Sequence, residues 1–248
     1  MIRPVLVVLA MSVALSSCTN PEMDKKFADL EARVKVIEDK GGAVGAAGQK
    51  PAAPPVNDEE EQAAGELFKA ASAAVESMKY DEARAKLVEL KDKYPNTRAA
   101  KASKRLDSEL AVVGKDVPPD LKVAKWFQGK TDFKSGKATL VIFFEEWCPH
   151  CIREVPRLEG TFAKYKDKGL NMVGLTKVTK GATEEKVAAF VKDNKVTYPI
   201  GKEEGTATSE LFGVQGIPAA AVVKDGKIVW RGHPAKLTDQ MIEGWIGG

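Results

Sequence analysis

The sequence has few of the side chains that hold metals, with three cysteines and two histidines in 248 residues. A structural zinc site takes four ligands, usually from two paired motifs, so this supply disfavours one. Basic clusters interleaved with aromatic residues are missing too, and the net charge is only +3, which argues against nucleic acid as a partner. The remaining composition, 44% hydrophobic and 29% charged, is that of a soluble protein with at least one sizeable core.

Two of the cysteines stand close together, in the stretch Trp147-Cys148-Pro149-His150-Cys151. An apolar run over 138–144 precedes them and predicts a buried strand, and 152–169 predicts a helix. Cys148 is therefore expected at a strand-to-helix turn, where free backbone N–H groups and the helix dipole favour a thiolate. Cys151 would lie one turn further on, which suits dithiol–disulfide exchange. An inert disulfide and half of a zinc site are the alternatives.

The Trp-Cys-x-x-Cys motif after an apolar strand resembles the active-site motif of the thioredoxin fold. Three further features resemble parts of that fold as well. Pro156 resembles the proline that bends the active-site helix, and Gly216-Ile217-Pro218 resembles the cis-proline loop opposite the disulfide. An Asp-Gly pair within 224–227 predicts a hairpin between the last two strands. An extra segment from about 178 to 200 resembles the bacterial periplasmic TlpA/ResA-type thiol–disulfide oxidoreductases.

The resemblance covers roughly residues 121–246 and implies an α/β thioredoxin fold, with a mixed sheet and helices on both faces. It also implies roles for single residues. Cys148 would be the nucleophile, Cys151 the resolving thiol, and Pro218 the docking point for the client backbone. Trp147 and Pro149 would support Cys148, Pro149 as a residue favoured at the first helical position. The resemblance implies neither a dissociable cofactor nor a metal.

His150, between the cysteines, is expected to set the redox bias. A protonated imidazole would favour the Cys148 thiolate and make the disulfide easier to reduce. Cys-Pro-His-Cys resembles the DsbA-type periplasmic oxidases, whereas the rest of the domain resembles reductases of the TlpA/ResA type. The direction of disulfide exchange therefore stays open, and the enzyme could run as a reductase, an oxidase or an isomerase.

One position departs from the thioredoxin pattern. Thioredoxins usually carry a buried Asp six residues before the first cysteine, and Ile142 stands there in this chain. The usual proton acceptor for the resolving thiol is thus missing. Glu145, Glu146 and Glu154 each have the pattern of a surface charge, and Glu146 is our candidate for a proton relay through water.

The N-terminal segment 1–17 has the features of a signal peptide, with Arg3 before a short apolar run. It ends in Leu15-Ser16-Ser17-Cys18, which resembles the bacterial lipobox, so Cys18 is expected to carry lipid and to hold the chain at the membrane, facing the periplasm. Thr19 after it favours the outer membrane. A plain signal peptide with a leftover thiol is the alternative.

Four further segments precede the redox domain. Residues 18–40 hold the anchor and a heptad pattern over 22–38, which predicts either a short coiled coil joining copies of the chain or a lone amphipathic helix. Residues 41–59 predict a flexible linker. Residues 60–113 predict a helical segment that resembles a tetratricopeptide repeat and serves as a spacer or a peptide-binding module. A Pro-containing linker, 114–120, leads to the thioredoxin-like domain, 121–248.

These features together predict a membrane-anchored, extracytoplasmic thiol–disulfide oxidoreductase, with cysteine-containing client proteins and a redox partner protein. A cell-envelope adaptor is the alternative, in which the helical segment binds a partner and the dithiol is secondary. A thiol peroxidase is disfavoured because Trp147 precedes Cys148 and no Thr-x-x-Cys motif is present.

Overall fold

The computed structural model describes residues 57–247. The predicted signal peptide, Cys18, the heptad segment and most of the 41–59 linker lie outside these residues. The helices are α1 (Asp58–Glu76), α2 (Tyr80–Lys93), α3 (Arg98–Ala102), α4 (Lys104–Leu110), α5 (Pro149–Tyr165), α6 (Glu184–Asp193), α7 (Ala207–Leu211) and α8 (Asp239–Ile246). The strands are β1 (Val123–Gln128), β2 (Ala138–Phe143), β3 (Leu170–Thr176), β4 (Ile200–Glu203), β5 (Ala219–Lys224) and β6 (Lys227–Gly232).

The six strands form one mixed sheet in the order β1-β4-β3-β2-β5-β6. β2, β3 and β4 run parallel, while β1, β5 and β6 pair antiparallel with their neighbours. The parallel connection from β2 to β3 passes through α5, as the apolar runs on either side of that helix predict. The central position of β2 places its carboxyl end, and the cysteines beyond it, at the middle of one sheet edge.

Both faces of the sheet are buried, which explains why β2 and β5 are continuous apolar runs rather than alternating ones. On one face, Leu140 and Ile142 join a core with α5, α6 and α8. On the other, Val141 and Phe143 pack with Phe212 after α7 and with Val112 after α4. Helices on both faces of a mixed sheet, a β2–α5–β3 crossover and a final hairpin make this the thioredoxin fold, as predicted.

The closing hairpin has the predicted turn. Asp225 and Gly226 have φ values of 51° and 73°, and Lys224 pairs with Lys227 across them. Two successive residues with positive φ are typical of a tight hairpin turn whose twist matches that of the strands. An Asp-Gly pair tolerates these angles, which is why the sequence locates this turn.

The helical segment begins with a capping box, in which the Glu60 N–H donates to Asn57 Oδ1 at 2.8 Å. Fully buried alanines on α1, among them Ala64 and Ala71, allow α1 and α2 to pack closely. The segment also contacts the redox domain, because the Tyr80 hydroxyl donates to the Val229 carbonyl at 2.8 Å. Burial raises the pKa of Tyr80 to about 12.

The predicted linker over 114–120 is bonded to the sheet. The Gly114 N–H donates to the Ile228 carbonyl and the Val117 N–H to the Gly226 carbonyl, both at 2.8 Å. Asp116 also forms an isolated antiparallel bridge with Lys227. This stretch therefore extends the β6 edge and holds α4 beside it, instead of leaving the helical segment on a free tether.

Candidate active site

The two cysteines lie where β2 gives way to α5. Cys148 is the N-cap residue of α5 and Pro149 occupies the first helical turn, with its fixed φ suited to that position. The Cys148 N–H donates to the Glu145 carbonyl at 3.1 Å, and the Cys148 carbonyl accepts the first helical bond from Ile152 at 3.0 Å. The strand-to-helix geometry predicted from the sequence is therefore present.

The two thiols differ in their exposure to solvent. Both are free thiols in this structure, Cys148 being 6% exposed and Cys151 completely buried. Burial raises the pKa of Cys151 to about 12; a hydrogen bond from the Glu145 backbone opposes this rise, and the Cys148 thiol and the charge of Glu145 add to it. Cys151 is therefore both inaccessible and protonated at neutral pH, whereas Cys148 keeps a small exposed fraction.

The loop that faces the cysteines contains a cis peptide bond between Ile217 and Pro218, as the resemblance implies. The Cys148 sulfur lies 3.9 Å from the Ile217 carbonyl oxygen. A cleft of about 200 Å³ opens beside this loop, lined by residues that include Trp147, Leu175, Val214 and Ile217. Leu175, Val214 and Ile217 give the cleft an apolar wall, and Lys177, Thr179 and Glu203 add polar side chains to its lining.

Two exposed side chains, those of Lys180 and Arg153, contact residues that neighbour the cysteines in the chain. The Lys180 ammonium lies 4.3 Å from the centre of the Trp147 ring, which is a cation–π contact. Arg153 Nη2 lies 2.7 Å from His150 Nδ1. Because an imidazolium has no acceptor nitrogen, this contact needs the neutral ring, whereas the predicted tuning role of His150 needs the protonated one.

The three nearby glutamates differ in their burial and in the partners of their carboxylates. Glu145 is only 5% exposed, so its interpretation as a surface charge is wrong. Glu154 is paired with Arg157 at 2.8 Å. Glu146, the candidate for the proton relay, has one carboxylate oxygen buried and without a hydrogen-bond partner among the described residues. A relay through Glu146 remains a prediction, because no contact joins its side chain to either cysteine.

The position of Glu145 has a signal in the sequence that our prediction missed. Val141 and Phe143 point to the same side of the sheet, in the period-two alternation of a strand that ends at Phe143. Extending that alternation by one step places Glu145 inside. Pro156 lies within α5, as predicted, and Ile142 is fully buried in the same core cluster as Cys151.

The fold and the dithiol define a class of protein: this chain is a thioredoxin-like enzyme, a thiol–disulfide oxidoreductase. Residues 115–231 match the AhpC/TSA family. Thiol-disulfide oxidoreductase ResA of Bacillus cereus (strain ZK) is 29% identical over 143 residues, which cover 56% of this chain and 80% of that protein. ResA of Bacillus thuringiensis subsp. konkukian (strain 97-27) is 30% identical over 113 residues, covering 45% of this chain and 63% of the relative.

Among solved structures, a thioredoxin-like protein in its oxidized form is 20% identical to this chain, with a TM-score of 0.48. The similarity covers 54% of this chain and 96% of that one. The family match leaves α1 to α4 unmatched, since it begins at residue 115. Between residues 57 and 247, no helix is both long enough and apolar enough to cross a membrane.

Proposed function

We propose that this chain is a lipid-anchored, extracytoplasmic enzyme that reduces disulfides in client proteins through Cys148 and Cys151. One observation supports this proposal most. A partly accessible thiol stands at the N-cap of α5, beside the loop with the cis peptide bond, and a fully buried thiol follows one turn later. This is the arrangement that two successive thiol–disulfide exchanges require.

The proposed reaction has two steps. The Cys148 thiolate attacks one sulfur of a client disulfide, so that a Cys148–client disulfide forms and the second client sulfur leaves as a thiolate. Cys151 then loses its proton and attacks the Cys148 sulfur, which breaks the bond to the client. The client leaves with two thiols after taking up two protons, and two electrons pass from the enzyme to the client as the Cys148–Cys151 disulfide forms.

The reducing direction is supported by the surroundings of the dithiol. A strong disulfide oxidant is one whose reduced form is stabilised, commonly through a stabilised thiolate. Here burial and the charge of Glu145 both disfavour negative charge at Cys151. Cys151 therefore contributes no thiolate that would stabilise the reduced form, and the reducing direction is proposed from the resemblance of residues 121–246 to reductases of the TlpA/ResA type.

The reduction potential of the Cys148–Cys151 pair tests this proposal. We expect a value near that of thioredoxin, about −270 mV, when the purified protein is equilibrated with glutathione or dithiothreitol buffers of graded ratio. The oxidised and reduced forms are separated after alkylation. A value near that of DsbA, about −120 mV, would instead assign the chain as an oxidase and reject the reducing direction.

Anchoring at the membrane is proposed from Leu15-Ser16-Ser17-Cys18. We expect Cys18→Ser to release the full-length protein into the soluble periplasmic fraction or to block its processing, because the acyl chains would be absent. Fractionation and mass spectrometry of the N-terminus give the result, and separating inner from outer membranes tests the preference that Thr19 suggests. Normal processing with unchanged membrane retention would show that Cys18 is not the anchor.

A further inference from the structure

Two lysines stand in the loop that follows β3, at the cleft beside the cis peptide bond. Lys177 lines that cleft, and the exposed Lys180 places its ammonium 4.3 Å from the centre of the Trp147 ring. Trp147 lines the same cleft and directly precedes Cys148 in the chain. The Lys180 ammonium therefore lies over the residue next to the thiol that is proposed to attack the client.

The loop holds Lys180 there through an unusual backbone conformation. Val178 and Lys180 have φ values of 61° and 53°, in the left-handed region, and this is a genuine outlier for the β-branched Val178. Three hydrogen bonds to the Glu145 carboxylate fix the start of the loop, donated by the Thr176 hydroxyl at 3.1 Å, the Lys177 N–H at 3.1 Å and the Thr179 N–H at 3.2 Å. Strain that the surroundings hold in place beside a reactive group is a signal of function.

The charges that a client can reach in the cleft are those of the two lysines. Glu145 and Glu203 also line the cleft, but they are only 5% and 3% exposed. Both already accept hydrogen bonds, Glu203 from the Ser209 N–H at 2.6 Å. Between residues 57 and 247, none of the ion pairs within 4 Å includes Lys177 or Lys180. The lysines therefore present positive charge to a negatively charged partner.

We propose that Lys180 selects client proteins that carry an aspartate or a glutamate next to the cysteine under attack. This inference rests on the proposed function and adds the class of client to it. Consecutive Cα atoms lie about 3.8 Å apart, so the residue next to the client cysteine reaches the Trp147 ring while the cysteine meets Cys148. A carboxylate there pairs with an ammonium that the ring already holds in place, so less side-chain freedom is lost on binding.

The test uses three disulfide-bonded peptides that differ only in the residue next to the cysteine, which is glutamate, glutamine or lysine. The measurement is the second-order rate constant for the reduction of each peptide by the reduced protein. Lys180→Met removes the charge and keeps a long stem on the Trp147 ring. We expect the preference for the glutamate peptide over the glutamine peptide to fall about threefold to fivefold, as for the loss of one ion pair, and the glutamine peptide to react as before.

Three further variants test the sign and the place of the charge. Lys180→Glu should reverse the order, so that the lysine peptide is reduced fastest. Lys180→Arg keeps the charge and should retain the preference of the wild-type protein. Lys192→Met removes an exposed positive charge from the last turn of α6 and should leave the preference unchanged. An equal loss of rate for all three peptides in Lys180→Met would assign the effect to Cys148 itself and overturn the proposal.

The binding of peptides that cannot react separates this inference from the proposed function. The same peptides with serine in place of cysteine are added to the protein, and NMR follows the indole N–H resonance of Trp147. We expect the glutamate peptide to shift this resonance at lower concentration than the lysine peptide does, and Lys180→Met to abolish the difference. A wild-type protein that exchanges no disulfides, yet shows this difference, would reject the proposed function and leave the preference of Lys180 standing. Equal rates and equal shifts for the three peptides would overturn the inference.

Discussion

Replacing Cys148 by Ser is expected to reduce the rate of disulfide exchange by roughly three orders of magnitude or more, as for the loss of other enzyme nucleophiles. The reason is that Cys148 is the less buried thiol of the pair, at 6% exposed, whereas Cys151 is fully buried and protonated at neutral pH. The measurement is the rate at which the reduced protein reduces a peptide disulfide, followed by the release of peptide thiols.

This substitution should leave the fold intact, which makes the result interpretable. Cys148 is the N-cap of α5 and makes no side-chain capping bond, while serine is among the favoured N-cap residues. Thermal unfolding of Cys148→Ser should therefore match that of the reduced wild-type protein or exceed it slightly. Exchange at more than a tenth of the wild-type rate, roughly 1.4 kcal/mol of lost transition-state stabilisation or less, would contradict the assigned role. The same variant tests the adaptor alternative, because an adaptor would keep its phenotype.

Introducing the aspartate of thioredoxins at position 142 is expected to destabilise this protein by about 3 kcal/mol or more at neutral pH. Ile142 is fully buried between β3 and β5, pairing with Gly174 and Ala220. A carboxylate there would lose its hydration. Urea unfolding of Ile142→Asp measures the effect, and Ile142→Val, expected to cost about 1 kcal/mol, is the control for lost volume.

The destabilisation should depend on pH in a definite direction. Burial favours the neutral acid, so the folded-state pKa of the new carboxyl group lies above the unfolded value of about 3.9. The deficit is therefore smallest below about pH 4 and grows as the pH rises through the folded-state pKa. A variant within about 1 kcal/mol of wild type at neutral pH would show that water or a hydrogen-bond donor reaches position 142.

The sequence predicts the parts of the fold whose signal is local. β2, β3 and β5 are apolar runs long enough to stand out, and the Asp-Gly turn follows from positive φ at 225 and 226. β1 and β4 were not predicted. β4 has four residues and ends in Lys202 and Glu203, and β1 is an edge strand with exposed Ala124 and Lys125, so neither shows an apolar run or a clean alternation in the sequence.

In the candidate site, too, some features have a local signal in the sequence and others do not. The positions of Cys148, Cys151 and Pro218 follow from short motifs and from the strand before them. The hydrogen bonds of the Glu145 carboxylate come from donors that lie thirty and more residues away in the chain, in Thr176, Lys177 and Thr179. Likewise, the contact between Arg153 Nη2 and His150 Nδ1 depends on the helical conformation that brings the two side chains together, and the residue types alone do not report it.

The central claim, that Cys148 attacks and Cys151 resolves, is tested most directly by mass spectrometry of trapped mixed disulfides. Cys151→Ser leaves the first step intact and removes the second, so a peptide disulfide should remain attached to Cys148 in a stable one-to-one adduct. Cys148→Ser under the same conditions should trap little, since Cys151 is buried and protonated. The reverse pattern, with adducts on Cys151 and none on Cys148, would contradict the account.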